Sequence, residues 1–489
     1  MIDTNAVRKK LLSLAIQGSL SVQDSHDNVN SLYKELIEKK NKRNIKNNKN
    51  YDDITDEEKS VSIPNNWIWV RLGEISEVIS KGTTPRGGNV SYLEEGIGFL
   101  RAENLRGYDS IDIKNLKYIS EETHCSFLKR SILQEGDILI SIAGTLGRTG
   151  LVKKELLPLN TNQAIAFIRL VDKERVNLRY FTYILNAEEI QKALGNKKVE
   201  MAIPNLSLDV ISKCAIPLPP VSEQNLIVDK LDCAFKSLDT IDELQLQYSS
   251  DLEVLKLKII DAGIQGKLTE RLPEDGTAEE LLEQIAKEKK QLIKEKKIKA
   301  TKALPEITED EIPFEIPVNW KWVRLADICS KITSGNTPAG GSKGGAYVTE
   351  GNCFFREQNI YNDGIHYEGM VYITDELLAT RENSTVLPQD ILLNITGGSI
   401  GRCALIPDDF SKGSINQHIL IIRVIEPEIR QYIHKCLCSP YYQKLIMGNV
   451  VGDKDGFSAG RCKNTLIPLP PIGEQKRIVE KITKILEQI

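Results

Sequence analysis

The chain has 489 residues, 41% hydrophobic and 27% charged, which is the composition of an ordinary soluble protein with about two to four domains. No apolar run approaches the roughly 18 residues that span a bilayer. The start Met1-Ile-Asp-Thr-Asn-Ala-Val-Arg lacks the parts of a signal peptide, so a cytoplasmic location is expected. A net charge of −4 and a pI near 6.0 argue against a free-standing DNA binder, and nine scattered cysteines without zinc-site spacing read as free thiols, with no metal expected.

The chain opens on a helical stretch with Val7, Leu11 and Leu14, which runs into Ala15-Ile-Gln-Gly18-x-Leu20. A lysine-rich helix is predicted over 32–43, followed by Ile54-Thr-Asp-Glu-Glu58 and Ile63-Pro-Asn-Asn-Trp67-Ile-Trp69-Val-Arg71-Leu72. The Trp67–Leu72 stretch alternates as a strand should. Next come Gly82-Thr-Thr-Pro85 and Phe99-Leu-Arg101-Ala-Glu-Asn104. A strand is predicted over 137–142, then a glycine-bounded hairpin turn over 144–147, Gly147-Arg148 and Asn162-Gln163. A short helix is predicted over 178–194, and the segment closes on Ile216-Pro-Leu-Pro-Pro220-x-x-Glu223-Gln224.

Beyond Pro220 the period changes to seven. Ile227, Ala234, Ile241, Tyr248 and Leu255 form one coiled-coil seam, and Leu231, Leu238, Gln245, Leu252 and Ile259 the other. With Ser222 as N-cap and Glu223 in the first turn, a helix over 222–260 would be roughly 55–60 Å long.

The whole pattern then repeats. Gly263-Ile-Gln-Gly266-x-Leu268 and a lysine-rich helix over 281–299 lead to Ile307-Thr-Glu-Asp-Glu311 and Ile316-Pro-Val-Asn-Trp320-Lys-Trp322-Val-Arg324-Leu325. Gly335-Asn-Thr-Pro338, Phe354-Phe-Arg356-Glu-Gln-Asn359, Gln389-Asp390, Gly401-Arg402, Asn416-Gln417 and Ile467-Pro-Leu-Pro-Pro471-x-x-Glu474-Gln475 follow in the same order. A strand is predicted over 391–395 and a helix over 428–447. Phe457-Ser-Ala-Gly-Arg461 stands against Ile203-Pro-Asn-Leu-Ser207, so a strand there is expected to pair differently. The second copy starts the long helix with Ile478, Ile482, Ile485 and Ile489 and then ends. Val7, Leu11 and Leu14 supply what is missing, so the repeat is circularly permuted.

The expected fold is α+β. Two mixed α/β domains are separated by long antiparallel coiled-coil helices and related by a pseudo-twofold, with the two chain ends docked as a broken second helix. The parts are a helix and lead-in over 1–60, a first domain over 61–221, a central helix and lead-in over 222–313, a second domain over 314–472 and a final helix over 473–489.

Catalytic constellations are missing from the sequence. It has no Gly-x-x-x-x-Gly-Lys-Ser/Thr loop and no Asn/Asp-Pro-Pro-Tyr methyltransferase motif. Glu288-Lys-Lys and Glu295-Lys-Lys read as the solvated face of a lysine-rich helix, and the five histidines form no ligand spacing. What recurs is polar loop chemistry suited to nucleic acid. Lys81, Gly82, Thr83, Thr84, Pro85 and Arg86, with Ser334, Gly335, Asn336, Thr337 and Pro338, suit phosphate contacts. Arg101, Asn104 and Arg106, with Arg356, Gln358 and Asn359, carry groups that can bond bidentately to guanine or adenine edges, and Asn162, Gln163, Asn416 and Gln417 add amides.

With Ile-Pro-x-x-Trp, Gly-x-Thr-Pro, Gly-Arg, Asn-Gln and Pro-Leu-Pro-Pro-x-x-Glu-Gln in this order, twice, the chain resembles the specificity subunit of type I restriction–modification enzymes over essentially its whole length. The resemblance implies two target-recognition domains, each reading half of a split double-stranded DNA site. It also implies helices that set the spacing and dock two modification (methyltransferase) subunits, with restriction (translocase/nuclease) subunits joining that core. No catalytic centre is implied on this chain; S-adenosylmethionine, ATP and Mg would sit on the partners. The turns over 144–148 and 397–402, with Thr145, Arg148, Ser399 and Arg402, become DNA-facing by the same resemblance. Two alternatives stay open: the specificity chain of a system with methylation and cleavage on one polypeptide, and a coiled-coil scaffold that binds proteins.

Overall fold

The two outermost motifs of each repeat are halves of one structure. In the computed structural model, which describes residues 1–21, 29–43, 51–85, 92–195, 206–300, 304–338, 345–448 and 457–489, strand Ile68–Arg71 pairs antiparallel with Ala215–Leu218. Lys321–Arg324 pairs in the same way with Leu466–Leu469. The first and last strands of each lobe thus close on each other. The chain divides into two units, Met1–Leu246 and Gln247–Ile489.

Behind each closing pair, the tryptophan of Ile-Pro-x-x-Trp meets the glutamate of Pro-Pro-x-x-Glu. Trp67 Nε1 donates to Glu223 Oε2 at 3.0 Å, and Trp320 Nε1 to Glu474 Oε2 at 2.8 Å. Both carboxylates are buried, so each collects further donors: Asn66 and Ser21 on Glu223, Asn319 and Thr269 on Glu474. The adjoining Gln224 and Gln475 amides donate to the carbonyls of Pro219 and Pro470. The lead-in repeat has a similar use. Glu58 holds the Arg71 guanidinium and Glu311 that of Arg324, both arginines being buried.

Each unit contains the same four-stranded antiparallel sheet. Its order is Ser76–Lys81, Ile165–Leu170, Ile138–Ser141, Thr149–Leu151 in the first and Cys329–Ser334, Ile419–Val424, Ile391–Asn394, Cys403–Leu405 in the second. A mixed sheet adjoins it: Lys117–Ile119, Ile97–Leu100, Leu159–Thr161 in one, and Val371–Ile373, Asn352–Phe355, Gly413–Ile415, Thr385–Val386 in the other. The aspartates of Gly136-Asp137 and Gln389-Asp390 are fully buried and bound in two-bond pairs by Arg169 and Arg423. Burial raises both carboxyl pKa values, and the arginines work against that rise.

The predicted long helix spans Val221–Ile264, 44 residues or about 66 Å. Ser222 lies inside its first turn rather than capping it, because the helix begins one residue earlier. Each half has an antiparallel partner within its own unit. Thr4–Ile16 runs beside the first half, where Arg8 bridges Asp239 at 2.6 Å and Asp242 at 3.0 Å. Ile472–Leu486 runs beside the second half, with Ile478 and Ile482 against Gly263. Ile227, Leu231 and Leu238 are buried as the heptad reading expects, joined by Val228 and Phe235 from outside it, whereas Tyr248 and Leu255 are exposed.

Two other expectations are corrected. The helices predicted over 178–194 and 428–447 are each broken in two, as Leu178–Ile184 with Glu188–Ala193 and Arg430–Cys438 with Pro440–Gly448. In the second lobe the break falls at Ser439, forced into extended backbone before Pro440. Phe457-Ser458 corresponds to Leu206-Ser207 and forms no strand; Ser207 and Ser458 instead cap the helices Leu208–Lys213 and Ala459–Asn464. Residues 203–205 lie outside the described residues. Among the described residues no helix is long and apolar enough to cross a membrane.

Candidate nucleic-acid interface

Antiparallel pairing puts alternate strand ends on one edge of a sheet, and it is this edge that collects the recurring polar loops. In the first lobe Gly82 follows strand Ser76–Lys81, Asn162-Gln163 precedes Ile165–Leu170, and Thr145 and Arg148 lie in the turn between Ile138–Ser141 and Thr149–Leu151. The register Lys81↔Ala166, Ile165↔Ser141 and Ile140↔Thr149 brings all three segments to the same end. Arg101 joins them from the mixed sheet, since Leu100 pairs with Thr161 just before Asn162. In the second lobe the same edge gathers Ser334–Pro338, Arg356–Asn359, Gly397–Arg402 and Asn416-Gln417.

Glycine begins each Gly-x-Thr-Pro loop because of a close backbone approach. A Cβ on Gly82 would lie 2.1 Å from the Thr161 carbonyl oxygen, and one on Gly335 2.1 Å from that of Ile415. The threonine then donates to the neighbouring amide, Thr84 to Gln163 and Thr337 to Gln417. Gly-x-Thr-Pro and Asn-Gln are therefore one double loop in each lobe. Pro85 and Pro338 are buried beneath it, while Lys81, Gln163, Ser334, Asn336, Thr337 and Gln417 are exposed and Thr83 half-buried. Arg86 lies outside the described residues.

The remaining predicted residues divide by exposure. Arg106, Thr145 and Gln358 are exposed, and Arg101, Arg148, Asn162, Arg356, Ser399 and Arg402 are half-buried. Asn104 and Asn359 do not present their amides to a ligand. Both are buried, each accepting from the backbone N–H of Arg101 or Arg356 and donating to a carbonyl across the turn, Asp112 or His366. They brace the arginine loops instead. Asn416 is also buried and donates to Glu357 Oε2 at 2.7 Å.

The arginines are partly neutralised where they stand. Arg101 pairs with Glu103, Arg106 with Asp112, and Arg356 bonds the Gly369 carbonyl. Even so, the buried Nε atoms of both Arg101 and Arg356 have no hydrogen-bond partner among the described residues. Arg402 lies over the Tyr361 ring, 4.3 Å from its centroid, and Tyr361 stacks on His366.

Two positioning residues escaped the sequence reading. Gln191 and Gln443 donate to the carbonyls of Gly147 and Gly401, at 3.1 and 2.7 Å, and clamp the glycine turns that carry Arg148 and Arg402. Both glycines have positive φ, 78° and 87°. The signal was present in the repeat, as Gln191-Lys192 against Gln443-Lys444.

Comparison with known proteins agrees with this duplicated arrangement. The sequence model for the Type I restriction modification DNA specificity domain matches residues 64–247 and again 317–489. The type I restriction enzyme EcoAI specificity subunit of Escherichia coli is 25% identical, over 98% of this chain and 88% of its own length. The MjaVIII specificity subunit of Methanocaldococcus jannaschii is 24% identical over 86% and 87%. Among solved structures, the HsdS subunit from Thermoanaerobacter tengcongensis aligns with a TM-score of 0.50 at 17% identity, over 88% of this chain and 91% of that one. A chain from a study of complex assembly and conformational transition of the type I R-M system aligns with a TM-score of 0.57 at 19% identity, over 88% and 92%.

Proposed function

We infer the role of this chain from its family: it belongs to the type I restriction modification DNA specificity proteins, and it is the sequence-specificity subunit of such a system. Each lobe reads one half of a bipartite duplex target with the loops at the end of its four-stranded sheet. The observation that carries this reading is the duplication itself. Two lobes of one topology each gather the same four polar loops at the same sheet end.

Within that role, Gln163, Arg148 and Arg101 in the first lobe, and Gln417, Arg402, Arg356 and Gln358 in the second, are the groups that would meet base edges. Their donors match purine acceptors; Gln163, Gln358 and Gln417 are exposed and the four arginines half-buried. Thr83, Thr84, Lys81 and the second-lobe Ser334, Asn336 and Thr337 would meet phosphates. The helices dock two modification subunits, and restriction subunits join that core. The chain supplies no catalytic centre; S-adenosylmethionine, ATP and Mg2+ are held by those partners.

The acidic pI fits this division of labour. Each neutralised phosphate contributes a salt slope of about −0.9, and in this chain 64 Lys and Arg are outnumbered by 68 Asp and Glu. Isolated, it binds DNA weakly and loses that binding with salt; specific, tight binding requires the modification subunits. Nanomolar specific binding by the chain alone would refute that point.

Mapping methylated adenines genome-wide with and without the gene tests the function. A bipartite methylated motif that disappears with the gene is expected, and an unchanged methylome would overturn the reading. Exchanging residues 81–86 for those of another specificity chain should change only one half of that motif.

A further inference from the structure

The second lobe differs from the first at one buried point behind the reading edge. In the first lobe Thr149, Thr182 and Asn186 form a hydroxyl–amide network. Asn186 Nδ2 donates to Thr149 Oγ1 and to the Thr182 carbonyl, both at 2.6 Å, and Thr149 Oγ1 donates to the Tyr108 carbonyl. The strand and helix that carry these residues recur in the second lobe, aligned by Gly147 with Gly401 and by Gln191 with Gln443. The three positions there are Cys403, His434 and Cys438. All three have become soft-metal donors together. Their donor atoms lie within 4.8 Å of one another, and all three residues are buried.

We propose that Cys403, His434 and Cys438 form a buried zinc-binding site in the second lobe. His434 and Cys438 stand four residues apart on one face of helix Arg430–Cys438, and Cys403 begins the strand that follows Arg402. His434 Nε2 is 3.5 Å from Cys438 Sγ and 2.9 Å from the Cys403 carbonyl oxygen, so this nitrogen points into the cluster. Ligand atoms of tetrahedral zinc sit about 3.5–3.8 Å apart, so the donors need to close by about 1 Å.

Charge favours the same occupant. Two thiolates and a neutral imidazole cancel the charge of Zn2+, leaving a neutral complex where an unpaired ion would be costly. Binding releases the two thiol protons to solvent, and the imidazole ligates through Nε2 as its neutral Nδ1–H tautomer, giving up the contact with the Cys403 carbonyl oxygen. The metal would join the strand behind Arg402 to helix Arg430–Cys438.

The test uses the full chain, reduced, equilibrated with zinc and then passed into metal-free buffer. About one zinc per chain is expected to remain, and the double variant C403S/C438S should retain less than about a tenth of that. The variant C214S, at a buried first-lobe thiol, should retain the full amount. Because the double variant could fail to fold, cobalt(II) added to the unaltered chain gives a second readout. Tetrahedral thiolate coordination should produce a sulfur-to-cobalt charge-transfer band and intense visible d–d bands. No retained zinc together with no cobalt–thiolate band would overturn the proposal. So would zinc content undiminished in a folded C403S/C438S chain.

Discussion

Asn160 and Ser414 hold the same place in the parallel strand of the two lobes, yet they answer to different partners. Asn160 bonds the buried His124 and the Leu128 carbonyl. Ser414 receives the guanidinium of Arg381, which also donates to the carbonyls of Ile415 and Asn336 and lies over the Phe354 ring. Among the described residues Arg381 is buried without a carboxylate paired to it, and burial lowers its pKa. By contrast, the pairs Trp67–Glu223 and Trp320–Glu474, Asp137–Arg169 and Asp390–Arg423, and the bonds from Tyr180 to Pro217 and Tyr432 to Pro468, are the same in both lobes. The frame is held by buried groups that each have a fixed polar partner. The ground beneath the recurring polar loops is filled in more than one way, which suits their proposed role of varying a readout on a constant frame.

Breaking the shared frame should give the largest effect, and the same effect in either lobe. R423M strands the buried Asp390 and R169M strands Asp137, each at a cost of about 3–5 kcal/mol in denaturant unfolding of the full chain. A cost confined to one lobe would mean the frames are not equivalent.

Next in size is a lobe-specific change. R381A leaves the buried Ile415 carbonyl and the part-buried Asn336 carbonyl without this donor and should cost about 2–3 kcal/mol while weakening recognition of the second half-site alone. Methylation rates on targets mutated in each half would show it; equal damage to both halves would contradict the modular reading.

G82A and G335A push a Cβ into backbone. About 1–3 kcal/mol and at least a tenfold loss of recognition of the matching half-site are expected, read by methylation kinetics in the assembled complex. Removing the glycine-turn clamp is milder. Q191A and Q443A should each cost about 1 kcal/mol in unfolding, since each deletes amide bonds to two carbonyls, one of them on the turn.

The smallest effect is pH-dependent. Arg71, and then the Thr55 N–H, pull the Glu58 carboxyl from 4.5 to about 2. A depressed carboxylate stabilises fully above its unfolded pKa, and that contribution disappears as pH falls from 4.5 toward about 2. Thermal unfolding of E58Q should lose that part of the acid limb. E311Q should do the same in the second lobe, where Arg324 lowers Glu311.

The amino-acid sequence alone reveals the duplication, the order of the motifs along the chain, the long helix and its permuted partners. These rest on local periodicity and on recurrence, which a single chain displays. The same recurrence made Gly-x-Thr-Pro, Asn-Gln and Gly-Arg visible as site candidates. Which of them face outward is settled by the fold. Asn104, Asn359 and Asn416 have the chemistry of base readers, but pairing of the parallel strands and the turns after them uses their amides internally. Nor could spacing find Cys403 beside His434 and Cys438, because a strand and a helix separated in the chain meet only when the sheet is covered. Side-chain chemistry is written residue by residue, whereas burial and partnership depend on contacts between distant segments, and those exist only in the folded lobe.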